Sequence, residues 1–301
     1  MTALIMLLFF CAQAQAEVST PMVQRVDGST DDGIKQCTPA TFFSRRNFVP
    51  LLSQALKISY YSGRTTSVPV GTDPTAVTFD GTNVWVANAN SSNVTKINPL
   101  TTAVLATVSV GTYPFGVAFD GTHIWTANSN SDNVSKVNVV TNAIDATVTV
   151  GDEPRFVAFD GTHIWVGNGL SDNVQKINIA TNTVVATVTV GTYPMGIAFD
   201  GTHMWVVNRN SENVSVIDVT DNSIDDTISV GLQPRWIAFD GTHMWVSNRD
   251  SDTITKIDVV TRTATTTIPA GGTYPFGAIF DGAHMWIANN GDDTITRYVV
   301  Q

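Results

Sequence analysis

The sequence predicts an all-β protein, a six-bladed β-propeller closed by a strand from its N-terminal side. Three observations carry that prediction. A block of 40 residues recurs six times, with one extra residue before the last copy. Each block holds four strand-like runs rich in Val, Thr, Ile and Trp, residue types that suit a pleated backbone. Runs such as HIWTAN and GVAF are apolar on both faces instead of alternating, the pattern of a sheet covered on both sides. Four antiparallel strands per block, repeated at this period, is the signature of propeller blades.

The chain opens with MTALIMLLFFCAQAQAEVST. The apolar run Ala3–Ala12 is too short to span a bilayer. Ala14-Gln15-Ala16 supplies a small-x-small cleavage pattern, so residues 1–16 read as a signal peptide, although no Lys or Arg precedes the apolar run. The expected location is secreted, periplasmic or cell-surface. Cys11 falls in this segment behind Phe9-Phe10, a poor lipobox, and Cys37 alone remains in the mature chain, which therefore has no internal disulfide. Residues 17–63 do not repeat. Within them Ser19–Asp32 is polar and turn-rich, and Phe48–Tyr60 suits a short helix from Pro50. Residues 64–301 are assigned to the propeller.

The second copy shows the blade plan. Phe115–Phe119 is the first strand, Asp120-Gly121 a tight turn, and His123–Asn128 the second strand. Asn130–Asn133 is a polar loop, Val134–Val140 the third strand, Thr141-Asn142 a turn and Ile144–Val150 the fourth strand. Trp85, Trp125, Trp165, Trp205, Trp245 and Trp286 recur on the second strand, and Phe79, Phe119, Phe159, Phe199, Phe239 and Phe280 on the first. Burial of each aromatic is worth roughly 1.5–3 kcal/mol, so stability is spread around the ring. Asp80, Asp120, Asp160, Asp200, Asp240 and Asp281 each precede a Gly and are expected to cap that turn. The last copy stops after three strands. TTSVPV at Thr65–Val70 aligns with the fourth strands ATVSV and DTISV, and is expected to complete the sixth sheet and leave no exposed edge.

Copies such as KINIATNTVVATVTVGTYPMGIAFDGTHMWVVN resemble the YVTN-type β-propeller repeats of secreted and surface-layer proteins. The match lies in TNTVVAT, in the VG-x-x-P linker and in the aromatic-V-x-N strand, with Trp where the family name has Tyr. The resemblance implies an extracellular propeller and no single activity. A weaker resemblance is to streptogramin lyases, which use DG-x-x-W blades; the spacing here is one residue longer, DG-x-x-x-W. That resemblance implies a His and Glu set around a metal at one mouth of the ring. The mouth here offers Glu153 and Glu212 but no His, so no catalytic residue is carried over.

A net charge of −10 argues against nucleic acid as a partner. No nucleophile elbow, phosphate loop, zinc pattern or dinucleotide fingerprint is present. His123, His163, His203, His243 and His284 each follow a DG turn at the same place in their own blade, which spreads them around a wide ring and makes them turn-flanking side chains rather than metal ligands. The Asp/Asn-rich loops NSNSDN, GLSDN and RNSEN read as Asx-turns, with calcium the alternative. Asn90, Asn93, Asn133 and Asn213 lie in N-x-[ST] sequons, which the duplication of the repeat also explains.

What varies between copies is the linker into each blade: TDPTA, TYPFG, DEPRF, TYPMG, LQPRW and TYPFG. The linkers and the loops after the second strands belong to one mouth of the ring. That mouth should gather Tyr113, Phe115, Phe156, Tyr193, Trp236, Tyr274 and Phe276 with Arg155, Arg235, Arg209 and Arg249. These are four of the seven arginines from Arg64 onward. Arginine beside aromatics suits carboxylate, sulfate or phosphate groups and sugar rings. Taken singly, each is explained as a tolerated loop residue or a channel seal. The sequence therefore reads as an exported, monomeric binding or scaffold protein with no cofactor. Its expected partner is an extracellular ligand such as an anionic glycan or a protein, met at the linker-side mouth. A metal-assisted lyase or lactonase of the propeller type and a purely structural surface module remain open as alternatives.

Overall fold

A computed structural model describes residues 67–300. The signal peptide, the residue 17–63 segment with its expected helix, and Thr65–Thr66 lie outside the described residues. The described chain is all-β, with 23 strands from β1 (Pro74–Phe79) to β23 (Thr294–Val299). They form six antiparallel sheets in which consecutive strands pair: β1–β4, β5–β8, β9–β12, β13–β16, β17–β20 and the three-stranded β21–β23. The expected blade plan holds closely. The second copy forms β5 (Pro114–Phe119), β6 (His123–Asn128), β7 (Asn133–Asn138) and β8 (Ile144–Thr149). The third strand ends sooner than its apolar run because Val139 and Val140 enter the turn, where the Asn138 side chain accepts hydrogen bonds from the Val140 and Thr141 amides.

Burial explains why the strands are apolar on both faces. Each first strand lies beside the first strand of the next blade, β1 against β5 and so on to β17 (Pro234–Phe239) against β21 (Pro275–Phe280). Five hydrophobic cores result, each shared by two adjacent sheets. Trp125, Ala127 and Val134 of the second blade, for example, pack on Val157, Ile164 and Val166 of the third. Trp85, Trp125, Trp165 and Trp205 are fully buried in this way. Lysines staple the seams. Lys96, Lys136 and Lys176 lie over the Trp of their own blade at 5.0–5.2 Å. Each Nζ donates to a carbonyl of the next blade, Val139, Ile179 and Val219, at 2.5–2.6 Å.

The Asp of each DG turn does more than cap it. Asp160 Oδ1 accepts the Thr162 and His163 amides, and Asp160 Oδ2 accepts the Trp165 indole N–H at 2.7 Å. The same indole bond recurs in all six blades at 2.6–2.7 Å. A buried indole N–H needs such a partner.

The closing strand differs from expectation. Among the described residues Ser67–Val70 has no strand pairing, β23 pairs with β22 (His284–Asn289) alone, and the sixth sheet has three strands. No packing comparable to the other five junctions joins β21 to β1 among the described residues. The physical reason lies in connectivity. Every other fourth strand is zipped to its third by a short turn, whereas this one would have to arrive from the far end of the chain and close a long loop. Val68 and Val70 nonetheless pack on the first blade, against Val77, Val86 and Ile97.

Candidate functional site

The mouth is assembled by one recurrent backbone device. The residue before each linker proline sits in the left-handed region: Asp73, Tyr113, Glu153, Tyr193, Gln233 and Tyr274, with φ between 49° and 57°. None is glycine, so each stores strain. A hydrogen bond offsets it. The carbonyl of that residue accepts the amide that follows the second strand of the same blade, as in Arg209 to Tyr193 (3.0 Å) and Arg249 to Gln233 (3.2 Å). This bond places the loop arginines beside the linker side chains, which is why two separate variable segments share one surface.

The linkers then alternate in size. Phe115, Met195 and Phe276 are followed by glycine, whereas Arg155 and Arg235 are followed by Phe156 and Trp236. The glycines make the close approach of neighbours feasible: a Cβ on Gly116 would lie 2.6 Å from the Arg155 carbonyl, and one on Gly196 would lie 2.9 Å from that of Arg235. The aromatic rings form a continuous chain. Phe115 meets Phe156 edge-on at 5.2 Å, Phe156 meets Trp236 edge-on at 4.9 Å, and Trp236 meets Phe276 at 6.5 Å. Phe156 and Trp236 belong to the third and fifth blades, so this contact passes across the fourth.

The four arginines fall into two sets. Arg155 is already engaged: its guanidinium pairs with Glu153, donates to Tyr193 Oη at 3.0 Å and lies 4.8 Å over the Phe115 ring. Tyr193 Oη donates back to Glu153 at 3.1 Å, which completes a neutral triad. Arg235 is the opposite case. It is half-buried, its Nε, like that of Arg155, is buried without a partner, and unlike Arg155 its terminal nitrogens make no hydrogen bond or ion pair among the described residues. Burial first, then the neighbouring charges of Arg209 and Arg249, push its pKa down to about 10, so it remains a cation at neutral pH. Arg209 lies 5.3 Å over the Tyr193 ring and donates to Gln233; Arg249 lies 4.4 Å over the Tyr274 ring and pairs with Asp250. Tyr193 thus touches both sets. Tyr113 stands apart, its Oη 3.5 Å from Asp73. The sequence did carry the signal that separates the two sets. The residue before the proline is Glu153 in one blade and Gln233 in the other, and only the first can neutralise the arginine two positions on.

The histidines stand at the DG-turn end of their strands, opposite the linker end, and bond within their own surroundings as expected. His123 meets Thr122 Oγ1 through Nδ1 (2.7 Å) and Asp145 through Nε2 (2.9 Å). One group has a metal-like shape, His203 with Asp218 and Asp225, whose ligand atoms lie within 4.8 Å of one another. The chain's own cation occupies that position: Arg262 Nη2 is 2.9 Å from Asp225 and 2.8 Å from His203 Nε2. At the mouth itself no His joins Glu153 or Glu212 among the described residues, so the His/Glu arrangement implied by the lyase resemblance is not assembled there. The residues that sequence reasoning missed are the second-strand asparagines. Asn88, Asn128, Asn168, Asn208, Asn248 and Asn289 are buried at the mouth end, and Asn128 Nδ2 donates to Asn133 Oδ1 and Ser135 Oγ, tying the loop to the third strand. Their recurrence after the Trp was visible, but it was grouped with the scaffold.

No protein-family model matches the chain, and no curated protein matches it. Solved structures do. A catalytically inactive virginiamycin B lyase from Staphylococcus aureus, solved with quinupristin, is 18% identical over 80% of this chain and 86% of that one, with a TM-score of 0.67. A functionally unknown protein from Desulfotomaculum acetoxidans is 16% identical over 77% and 84%, with a TM-score of 0.66. A chain of a mitotic checkpoint complex is 14% identical over 80% and 81%, with a TM-score of 0.72. At these identities the likeness is one of fold, and the chain is a six-bladed β-propeller by its own strand order.

Proposed function

We propose that the chain is an exported, non-enzymatic recognition propeller that takes an anionic ligand at its linker-side mouth. The observation that carries this reading is Arg235. A half-buried guanidinium is costly unless a partner compensates it, and here the charges that act on it most strongly are those of two further arginines, with Asp250 opposing them. A carboxylate, sulfate or phosphate group would complete the hydrogen bonds that Arg235 lacks and relieve the repulsion from Arg209 and Arg249. Tyr193, Tyr274 and Trp236 supply ring faces for the carbon skeleton of such a ligand. The leader at residues 1–16 supports export and a location outside the cytoplasm.

The test is calorimetric titration of the mature chain with inorganic phosphate, citrate and a sulfated oligosaccharide, in parallel with Arg235→Ala. Saturable binding that weakens with added salt is expected for at least one of them. Loss of one charge-assisted hydrogen-bonding partner should weaken it by about tenfold or more. Equal binding by Arg235→Ala, or no binding of any anion, would sink the proposal and leave the structural-module reading. Turnover of a ligand abolished by a chelator would instead favour the metal-assisted enzyme.

A further inference from the structure

The three arginines of the cationic sector converge on one residue, Gln233. Arg209 Nε donates to its side-chain oxygen. The Arg249 amide donates to its carbonyl at 3.2 Å. Arg235 follows two positions on, in β17. Gln233 is neutral, so the residue that gathers the cations compensates none of them. Its counterpart Glu153 does the reverse and pairs with Arg155. The acids of the surrounding loops are turned elsewhere. Asp250 pairs with Arg249 at 2.7 Å. Asp172 and Asp252 accept the linker amides of Tyr193 and Tyr274 at 2.8 and 2.7 Å. Glu212, on the loop that carries Arg209, pairs with no arginine among the described residues. Three guanidinium charges therefore stand against one paired carboxylate, an excess of two.

That excess distinguishes among anions. A single carboxylate, a sulfate ester or a phosphate diester brings one negative charge and leaves one guanidinium uncompensated. A phosphate monoester brings about −1.5 to −2 at neutral pH, with three strong acceptor oxygens. Guanidinium forks match such oxygens in direction as well as in charge. A sulfate ester has the same three oxygens and the same tetrahedral shape with a single charge, so the two groups differ here in charge alone. The carbon side of an ester also has a surface to lie on, since Tyr274 is 46% exposed beside Arg249. The linker side chains bar a deeper route. Phe156 and Trp236 meet edge-on at 4.9 Å across the fourth blade, and Met195 of that blade is itself buried. What the sector can receive is the end group of a small molecule.

We propose that the cationic sector selects a doubly charged end group, and that its ligand is a small phosphate monoester on a ring, held by Arg209, Arg235 and Arg249. This rests on the anion-binding reading of the mouth and narrows it from anions in general to one charge state. Affinity should then follow the second ionisation of the ester, near pH 6. Above that pH the ligand is a dianion and the full interaction is present; below it the ligand is a monoanion and the advantage is lost. The charged and titratable groups that act on Arg235 are Arg209, Arg249, Asp250 and Tyr193. The five histidines stand at the DG-turn ends of their strands, away from the linkers. Arg235 itself, with its pKa at about 10, keeps its charge through the interval. The pH response therefore belongs to the ligand.

Calorimetric titration of the full chain with phenyl phosphate, phenyl sulfate and diphenyl phosphate tests this. At neutral pH phenyl phosphate should bind about tenfold or more tightly than the two singly charged esters. Its affinity should fall between about pH 7.5 and about pH 5, as the ester gains its proton. Phenyl sulfate, a monoanion throughout, should hold steady, and it reports any titration of the protein. Arg209→Gln removes one positive charge, keeps the backbone bond to Tyr193 and leaves Arg235 in place. It should remove most of the preference for the phosphate ester. Equal affinity for the phosphate and sulfate esters, lost from both in Arg235→Ala, would overturn the selection and leave an anion-binding mouth. A preference that survives Arg209→Gln and ignores pH would also overturn it, and would assign discrimination to shape. Binding of none of the three esters overturns the selection as well. The broader reading falls only if inorganic phosphate, citrate and the sulfated oligosaccharide fail too.

Discussion

The two ends of the same repeat are built under different rules. At the DG-turn end all six copies make one set of bonds: Asp to backbone amides, Asp to the indole, and a histidine or asparagine beside it. At the linker end the backbone device is equally constant, but the side chains it presents change from blade to blade. The turn end holds the sheets together, because five of its six indoles, all but Trp286, lie in the cores between blades. The linker end can vary because its geometry is secured by backbone hydrogen bonds that do not depend on side-chain identity. Constancy and variation in one sequence thus separate what folds the ring from what could recognise a ligand.

Substitutions can break that comparison. The largest effect is expected for Trp165→Ala, which empties a core between the third and fourth blades and should cost ~3–5 kcal/mol of unfolding free energy in a denaturant melt. Asp160→Ala keeps the core volume but strands a buried indole N–H and two turn amides, and should cost about 1–3 kcal/mol by the same measurement. At the other end Arg235→Ala should leave the melting midpoint unchanged or raise it, since it removes an uncompensated half-buried charge. Arg155→Ala should lower the midpoint modestly, because Glu153 and Tyr193 lose their shared cation, while anion binding is retained. If both arginine variants behaved alike, the division of the mouth into a neutral and a cationic sector would be wrong. The smallest effect concerns pH. Burial lowers the pKa of His163 below its ordinary 6.5, so the unfolded chain takes up the proton first. The stability associated with that site is complete above about pH 6.5 and falls as the pH drops toward the folded-state value. His163→Asn should flatten the acid limb of a stability–pH curve slightly, and an unaltered curve would remove His163 from the account.

Much of this was legible in the chain. The period, the strand order and the inter-blade burial follow from spacing and from strands apolar on both faces. Two things were not read from it. Whether Arg155 and Arg235 were equivalent depended on a residue two positions away, Glu153 or Gln233, and on which rings the backbone brought beside each. How the ends meet was also hidden, since the similarity of Thr65–Val70 to a fourth strand says which strand type it is and not which sheet receives it.

The lysine staples have a mechanical consequence. Each joins a blade to its successor at a constant offset of 43 residues, Lys96 to Val139, Lys136 to Ile179 and Lys176 to Val219. Contacts of this nearest-neighbour kind make the described array quasi-one-dimensional. Under tension applied at Gln301, the sixth blade, gripped by one neighbour among the described residues, should yield first. The rest should follow in a sawtooth of similar steps, each releasing one 40-residue length of chain.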